Sequence, residues 1–210
     1  MLFDDRFDAA YRLVPHLKQY ADNPNALVLA IPRGGLQLGS VLAQELRLPL
    51  DVIFTKKIGY PGNPEYAIGA VSLKHIAVAP DFENIPELQE YITHEAAKIR
   101  SLLRERAMTY RGDNPPLNLA GKIVIVVDDG VATGNTLLAT LALIAEDKPQ
   151  KIIVALPVAP REAADRLRAT VDELICLQVP DMFLSVGQFY KNFEQVDDQE
   201  AIRLLREARS

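Results

Sequence analysis

The sequence predicts an α/β fold in which a parallel β-sheet is flanked by helices on both faces. Short apolar runs of strand length alternate with segments of helical periodicity along nearly the whole chain. One of these runs, Ile123–Val127, is five consecutive β-branched residues, the pattern of a strand buried on both faces. Loops rich in small residues follow several strands directly, at the carboxyl ends where open α/β sheets bind their ligands.

The elements follow in order. Phe7, Ala10, Tyr11, Val14 and Leu17 recur at helical spacing, which predicts an opening amphipathic helix that ends near Asp22 and Pro24 and serves packing. Residues 26–31 form an apolar strand, Pro32-Arg33-Gly34-Gly35 a tight loop, and Leu38, Val41, Leu42 and Leu46 the stripe of a helix. Residues 50–55 read as the next strand. Residues 56–64 hold two glycines and two prolines, which argues against a helix or a central strand. Residues 67–72 and 76–79 are short enough to make a hairpin. Leu88, Ile92, Ala96, Ile99, Leu102 and Leu103 mark a long amphipathic helix over residues 86–110. After the loop at 111–121, Ile123–Val127 is the central strand, 137–145 a helix, 152–156 a buried strand, 161–169 a helix and 174–179 a final core strand. Residues 182–196 are irregular and aromatic, and a short helix spans 198–208.

The chain has 210 residues, 49% hydrophobic and 24% charged, which fits a single domain spanning 1–210. No apolar run approaches the roughly 20 residues of a membrane span, and the first eight residues carry charges where a signal peptide would be apolar, so the expected location is cytoplasmic. The lone cysteine, Cys176, lies in an apolar segment and reads as a buried strand thiol. His16, His75 and His94 are far apart and read as surface or helix-face residues, so no protein-built metal site is expected. A net charge of -5 without a basic tract argues against nucleic acid as a partner. A polyanionic ligand would therefore need a local cationic patch.

Residues 124–136, VIVVDDGVATGNT, carry the chemistry. An apolar strand ends in Asp128 and Asp129, and a loop of small residues leads into a helix. Gly130 and Gly134 let backbone N–H groups approach an anion, Thr133 and Thr136 add hydroxyl donors, and the helix from about Asn135 turns its positive end toward the same place. A dianionic phosphate suits that loop, and two carboxylates beside it suit sugar hydroxyls. Sugar plus phosphate is the simplest ligand that satisfies both. An acidic turn closing a buried strand would leave the loop composition and the helix unexplained.

This segment resembles the phosphoribosyl-pyrophosphate signature of type I phosphoribosyltransferases, and Pro32-Arg33-Gly34-Gly35 after its strand resembles that family's pyrophosphate loop. The resemblance covers roughly residues 5–195 and is nearest to a bacterial subgroup of predicted phosphoribosyltransferases. It implies that Asp128 and Asp129 bind the ribose hydroxyls, and that Gly130, Val131, Ala132, Thr133, Gly134, Asn135 and Thr136 hold the 5-phosphate. Arg33, Gly34 and Gly35 would meet the pyrophosphate. Lys56 and Lys57, at the end of the strand 50–55, would reach phosphate or form a solvated charge pair. Arg104, Arg106 and Arg111 precede the signature where the family carries a mobile loop, and Arg106 is the catalytic candidate among them. The resemblance further implies a small hood from the terminal segments, about 1–24 and 180–210, with Phe183, Phe189 and Tyr190 as candidates to stack on an aromatic base. It implies magnesium held mainly by substrate pyrophosphate, and a homodimer.

The expected activity is transfer of ribose 5-phosphate from 5-phosphoribosyl-1-pyrophosphate to a nitrogenous base. Catalysis would be electrostatic and positional, with no nucleophilic side chain. A binding-only sensor of the same ligand is the rival from another class. A phosphoacceptor or phosphohydrolase site built on Asp128 and Asp129 ranks third, since such acids usually sit on an early strand. No Gly-Lys-Ser/Thr follows a glycine-rich loop, which argues against a P-loop hydrolase.

Overall fold

The computed structural model describes residues 2–209. Five parallel strands form the main sheet: β1 (Ala26–Ala30), β2 (Leu50–Val52), β6 (Ile123–Val127), β7 (Lys151–Val158) and β8 (Glu173–Gln178). Their order is β2-β1-β6-β7-β8, which puts the run of five β-branched residues in the middle as the sequence predicts. The helices are α1 (Arg6–Leu17), α2 (Gly35–Leu46), α3 (Pro86–Arg111), α4 (Asn135–Ala145), α5 (Arg161–Arg168) and α6 (Asp198–Glu207).

Strand alternation divides the apolar residues between two cores. Val28, Ala30, Ile125, Val127, Ile153 and Ala155 point to the face covered by α1, α2 and α6, and α3 extends the same core over two further strands, Lys56–Tyr60 and Asn63–Val71. Leu27, Leu29, Val124, Val126, Val154 and Leu156 point to the opposite face, where Leu137, Leu141 and Ile144 of α4 and Ala163, Ala164 and Leu167 of α5 cover them. A parallel sheet covered on both faces is what near-continuous apolar strands require. The expected α/β architecture is therefore observed.

One expectation holds and others change. Residues 56–64, expected to be neither helix nor central strand, contain the edge strand β3 (Lys56–Tyr60), which pairs antiparallel with β4 (Asn63–Val71). With β5 (Ile76–Val78) they make a separate three-stranded sheet, so Lys56 and Lys57 open a new strand and do not close strand β2. Gly59 sits in a register break of this hairpin, where an added Cβ would lie 2.5 Å from Pro64. Strand β8, expected as core, is the sheet edge, and each of its residues is half-buried. Cys176 there is half-buried, and burial pushes its thiol up to about 11, so it is an unreactive packing residue. The stripes of two helices are rotated: Tyr11 and Leu102 face outward, whereas Arg6 joins Ala9, Ala10, Leu13, Val14 and Leu17 on the buried face of α1. His16 and His94 are exposed, and His75 Nε2 lies 3.2 Å from Asp147.

The chain ends meet. Phe3 pairs in parallel with Tyr190, and the amides of Lys191 and Asn192 donate to the carbonyls of Phe3 and Asp4. Met1 and Ser210, the outermost residues of the expected hood, lie outside the described residues.

A buried ionic knot fixes α3 to the sheet. Asp51 on β2 accepts hydrogen bonds from Arg111 Nε at 2.9 Å and from the Leu117 amide at 2.8 Å, and Arg209 Nη2 lies 2.6 Å away. The Asp51 and Arg111 side chains are only 2% and 6% exposed, so removing the carboxylate would strand two guanidinium groups in a protein interior. Asp51→Ala is expected to lower unfolding stability by about 3 to 5 kcal/mol in urea titrations. Glu207→Ala, which breaks the exposed Arg203 pair, is expected to change it by less than about 1 kcal/mol.

Candidate functional site

Strands β1 and β6 are adjacent and parallel, with Ala30 opposite Val127. From β1 the chain crosses to β2 on one side, and from β6 it crosses to β7 on the other. The crevice beyond their carboxyl ends is thus the topological switch point, where open α/β sheets place ligands. Two loops meet there: residues 32–35 after β1 and residues 128–134 after β6. The Ile31 amide donates to the Val127 carbonyl at 3.0 Å, so the loops leave the sheet side by side.

The two acids are held differently. Asp128 Oδ1 accepts from the Asp129 amide at 2.9 Å. Asp129 Oδ2 accepts from Arg6 Nε at 2.7 Å, and Arg6 Nη1 donates to the Glu194 carbonyl at 2.7 Å. The same guanidinium lies 3.8 Å from the centre of the Phe193 ring. Burial first, and then the neighbouring Asp129 charge, push the Asp128 carboxyl well above the ordinary carboxylate range. Burial also raises Asp129, and the Arg6 hydrogen bond and charge oppose that rise. Tyr190 braces the pair from below: its hydroxyl donates to the Asp129 carbonyl at 2.6 Å, and burial raises its pKa.

Close approach explains the glycines. A Cβ on Gly34 would lie 2.0 Å from Asp129 Oδ2 and 3.0 Å from Arg6 Nε, so the loop after β1 rests directly on the second acid. A Cβ on Gly35 would lie 2.7 Å from the Val127 carbonyl oxygen. Gly35 opens α2 and donates its amide to Ile31 at 3.1 Å, so it serves helix–strand packing and its amide is not open to a ligand as expected.

In the second loop, Gly130 and Gly134 adopt φ of 142° and 73°. The Val131 amide bonds to Val158 and its side chain is buried, which removes Val131 from the expected ligand contacts. The amides of Ala132, Thr133 and Gly134 have no protein acceptor among the described residues. Thr133 and Thr136 are exposed, and α4 begins at Asn135 with its positive end facing this loop. Arg166 of α5 donates to Asn135 Oδ1 at 2.9 Å, adding a cation beside the loop.

Two of the candidate arginines meet at a carboxylate. Arg33 and Arg106, far apart in sequence, both approach Asp198 Oδ1, at 3.9 Å and 3.4 Å. Tyr110 donates its hydroxyl to the same oxygen. Arg111 does not join them, being taken up by Asp51, and Arg104 is exposed on α3. Lys56 and Lys57 are exposed on β3 with no ion pair among the described residues.

Of the aromatic candidates, Tyr190 is corrected from stacking group to brace: it is buried between Phe3 and Phe193, with ring centres 5.3 and 4.9 Å away. Phe183 and Phe189 stack on each other at 5.6 Å and are half-buried. Val186 between them approaches Gly130 closely enough that a Cβ there would lie 2.7 Å from it. The aromatic segment therefore lies against the second loop.

Sequence reasoning missed Arg6, Arg166 and Asp198. Arg6 was visible as a charge continuing the buried 6, 9, 10, 13, 17 stripe of α1, a spacing that should have carried an apolar residue. Asp198 reads locally as a first-turn acid of α6, and Arg166 as a helix-surface cation. Their partners come from distant elements, so no local signal marked them.

The family model for the Phosphoribosyl transferase domain matches residues 5–194. Two Mycobacterium tuberculosis strains carry a protein named "Putative phosphoribosyl transferase" that is 34% identical over 209 residues. That alignment takes in 99% of this chain and 47% of the relative, so the chain spans about half the length of the curated relatives it matches. The crystal structure of TT1426 from Thermus thermophilus is 37% identical, with a TM-score of 0.89 and full coverage of both chains. A hypoxanthine-guanine phosphoribosyltransferase from Bacillus anthracis shares the fold at 16% identity and a TM-score of 0.50, covering 91% of this chain and 92% of its own.

The raised Asp128 pKa has a consequence for stability. A carboxyl whose folded pKa lies above its unfolded value destabilises the fold once pH exceeds the unfolded value, because ionisation is then easier in the unfolded chain. Asp128→Asn keeps the shape and removes that charge. It is expected to melt above the native chain at about pH 7, with the gap closing as pH falls toward about 4; a constant gap across a calorimetric pH series would contradict this.

Proposed function

The chain belongs to the phosphoribosyl transferase domain family, and on that premise we propose that it binds 5-phosphoribosyl-1-pyrophosphate across the two strand-end loops and transfers ribose 5-phosphate to a nitrogenous base. The observation that carries the reading is the placement of Gly34 directly on the Asp129 carboxylate. A pyrophosphate on the first loop and a sugar on the acids would then be parts of one ligand.

In this reading Asp128 and Asp129 accept hydrogen bonds from the ribose hydroxyls. Arg6 aims Asp129 and opposes the rise in its pKa that burial causes. The open amides of Ala132, Thr133 and Gly134, the hydroxyls of Thr133 and Thr136 and the start of α4 receive the 5-phosphate, with Arg166 near. Arg33, Arg106 and the backbone at Gly34 face the pyrophosphate. A base nitrogen attacks the anomeric carbon while the bond to pyrophosphate breaks, and the bonding pair leaves with pyrophosphate. Positive charge grows on the ribose beside two carboxylates, and negative charge grows beside two guanidiniums, so fixed charges favour the transition state. Phe183 and Phe189, against the second loop, offer ring faces for the base.

In this reading magnesium would be held mainly by pyrophosphate oxygens and water, with the carboxylates of Asp128 and Asp129 as hard oxygen donors beside it. When bound it would offset pyrophosphate charge.

The test is pyrophosphate release from 5-phosphoribosyl-1-pyrophosphate and magnesium with pooled purine and pyrimidine bases. Release is expected to depend on base and to fall about 100-fold or more in Asp128→Asn/Asp129→Asn and in Gly34→Ala, where the new methyl must displace Asp129. Base-independent release, or full activity in the double variant, would contradict the proposal. Ligand binding without release by any base would instead favour a sensor.

A further inference from the structure

The convergence of Arg33 and Arg106 on one carboxylate raises the question of what that carboxylate does when an anion arrives. Arg33 belongs to the loop after β1, Arg106 to α3 and Asp198 to the first turn of α6, so three separate elements meet at one oxygen. Helix α6 packs on both α2 and α3, and Tyr110 of α3 donates its hydroxyl to the same Asp198 oxygen. The pair distances, 3.9 and 3.4 Å, are loose, and all three side chains are partly exposed, between 33% and 54%. These are weak, exchangeable ion pairs, in contrast to the buried Asp51 knot.

We propose that Asp198 is a stand-in anion: it gathers Arg33 and Arg106, and gives them up when pyrophosphate enters. This rests on the reading of the first loop as the pyrophosphate site. Two guanidiniums drawn toward one point repel each other, and Asp198 offsets that repulsion without burying them. A pyrophosphate carries more charge and can accept from both forks at once, so it wins the exchange. Each exchange still opposes binding by the strength of the pairs it breaks. Asp198 is thus a positioning residue that sets how tightly substrate and product pyrophosphate are held.

The test is calorimetric titration of the full chain with inorganic pyrophosphate at fixed magnesium. Asp198→Asn retains shape and can still accept from Tyr110, but cannot compete as an anion. It is expected to bind pyrophosphate about three- to tenfold more tightly than the native chain, the scale of one to two exposed ion pairs. Glu200→Gln, on the same helix, makes the same change in net charge at a residue that accepts from Gln37 and touches neither arginine. It is expected to leave the affinity unchanged. If Asp198→Asn binds no more tightly than Glu200→Gln, the stand-in role is overturned while the site reading stands. If the native chain binds no pyrophosphate, the reading of the loop fails and the inference falls with it. Equal melting temperatures for the two variants would show that the affinity change does not come from a loosened fold.

Discussion

The parallel pairing of β1 with β6 is the constraint on which the site depends. Ala30 and Val127 are register partners, so both strands end at the same height and their loops leave the sheet together. Because the chain turns in opposite directions from these two strands, no crossover helix fills the space between the loops. Glycine at 34 then lets one loop settle onto the carboxylate that ends the other strand. A side chain at that position would part the loops, and with them the two halves of any ligand that spans both.

Electrostatics at this junction run against stability. Two neighbouring carboxylates are held where burial disfavours their charge, and Asp129 is the one that hydrogen-bonds a guanidinium among the described residues. Arg6 reaches it from the first turn of α1, fixed between the Phe193 ring and the Glu194 carbonyl. The paired N- and C-terminal segments thereby act on the chemistry of a strand end more than a hundred residues from Arg6. Sites prepared to stabilise charge in a transition state commonly cost stability in the resting protein. The cations are arranged with similar economy: in a chain of net charge -5, Arg33, Arg106 and Arg166 lie around the two loops.

Much of the fold was legible because its main sheet is buried on both faces. Ile123–Val127 has no polar residue to mark an exposed side, and that places it at the sheet centre. The acid pair and small-residue loop were legible because their side-chain chemistry is local and contiguous. Strand β3 was obscured because the glycines and prolines of residues 56–64 exclude a central strand but are tolerated in a hairpin with a bulge and a Gly62 turn at positive φ. Val131 and Gly35 were assigned to ligand contact because they sit inside the motifs; their amides are already used by Val158 and Ile31. Arg6 and Asp198 owe their positions to tertiary packing, which spacing along one helix does not reveal.

The central claim is that one ligand spans both loops. Hydrogen–deuterium exchange of the full chain, with and without 5-phosphoribosyl-1-pyrophosphate and magnesium, tests it most directly. The account predicts slowed exchange in peptides covering residues 32–35 and residues 130–136 together, at the same ligand concentration. Protection of only one loop, or protection confined to another face of the molecule, would contradict it.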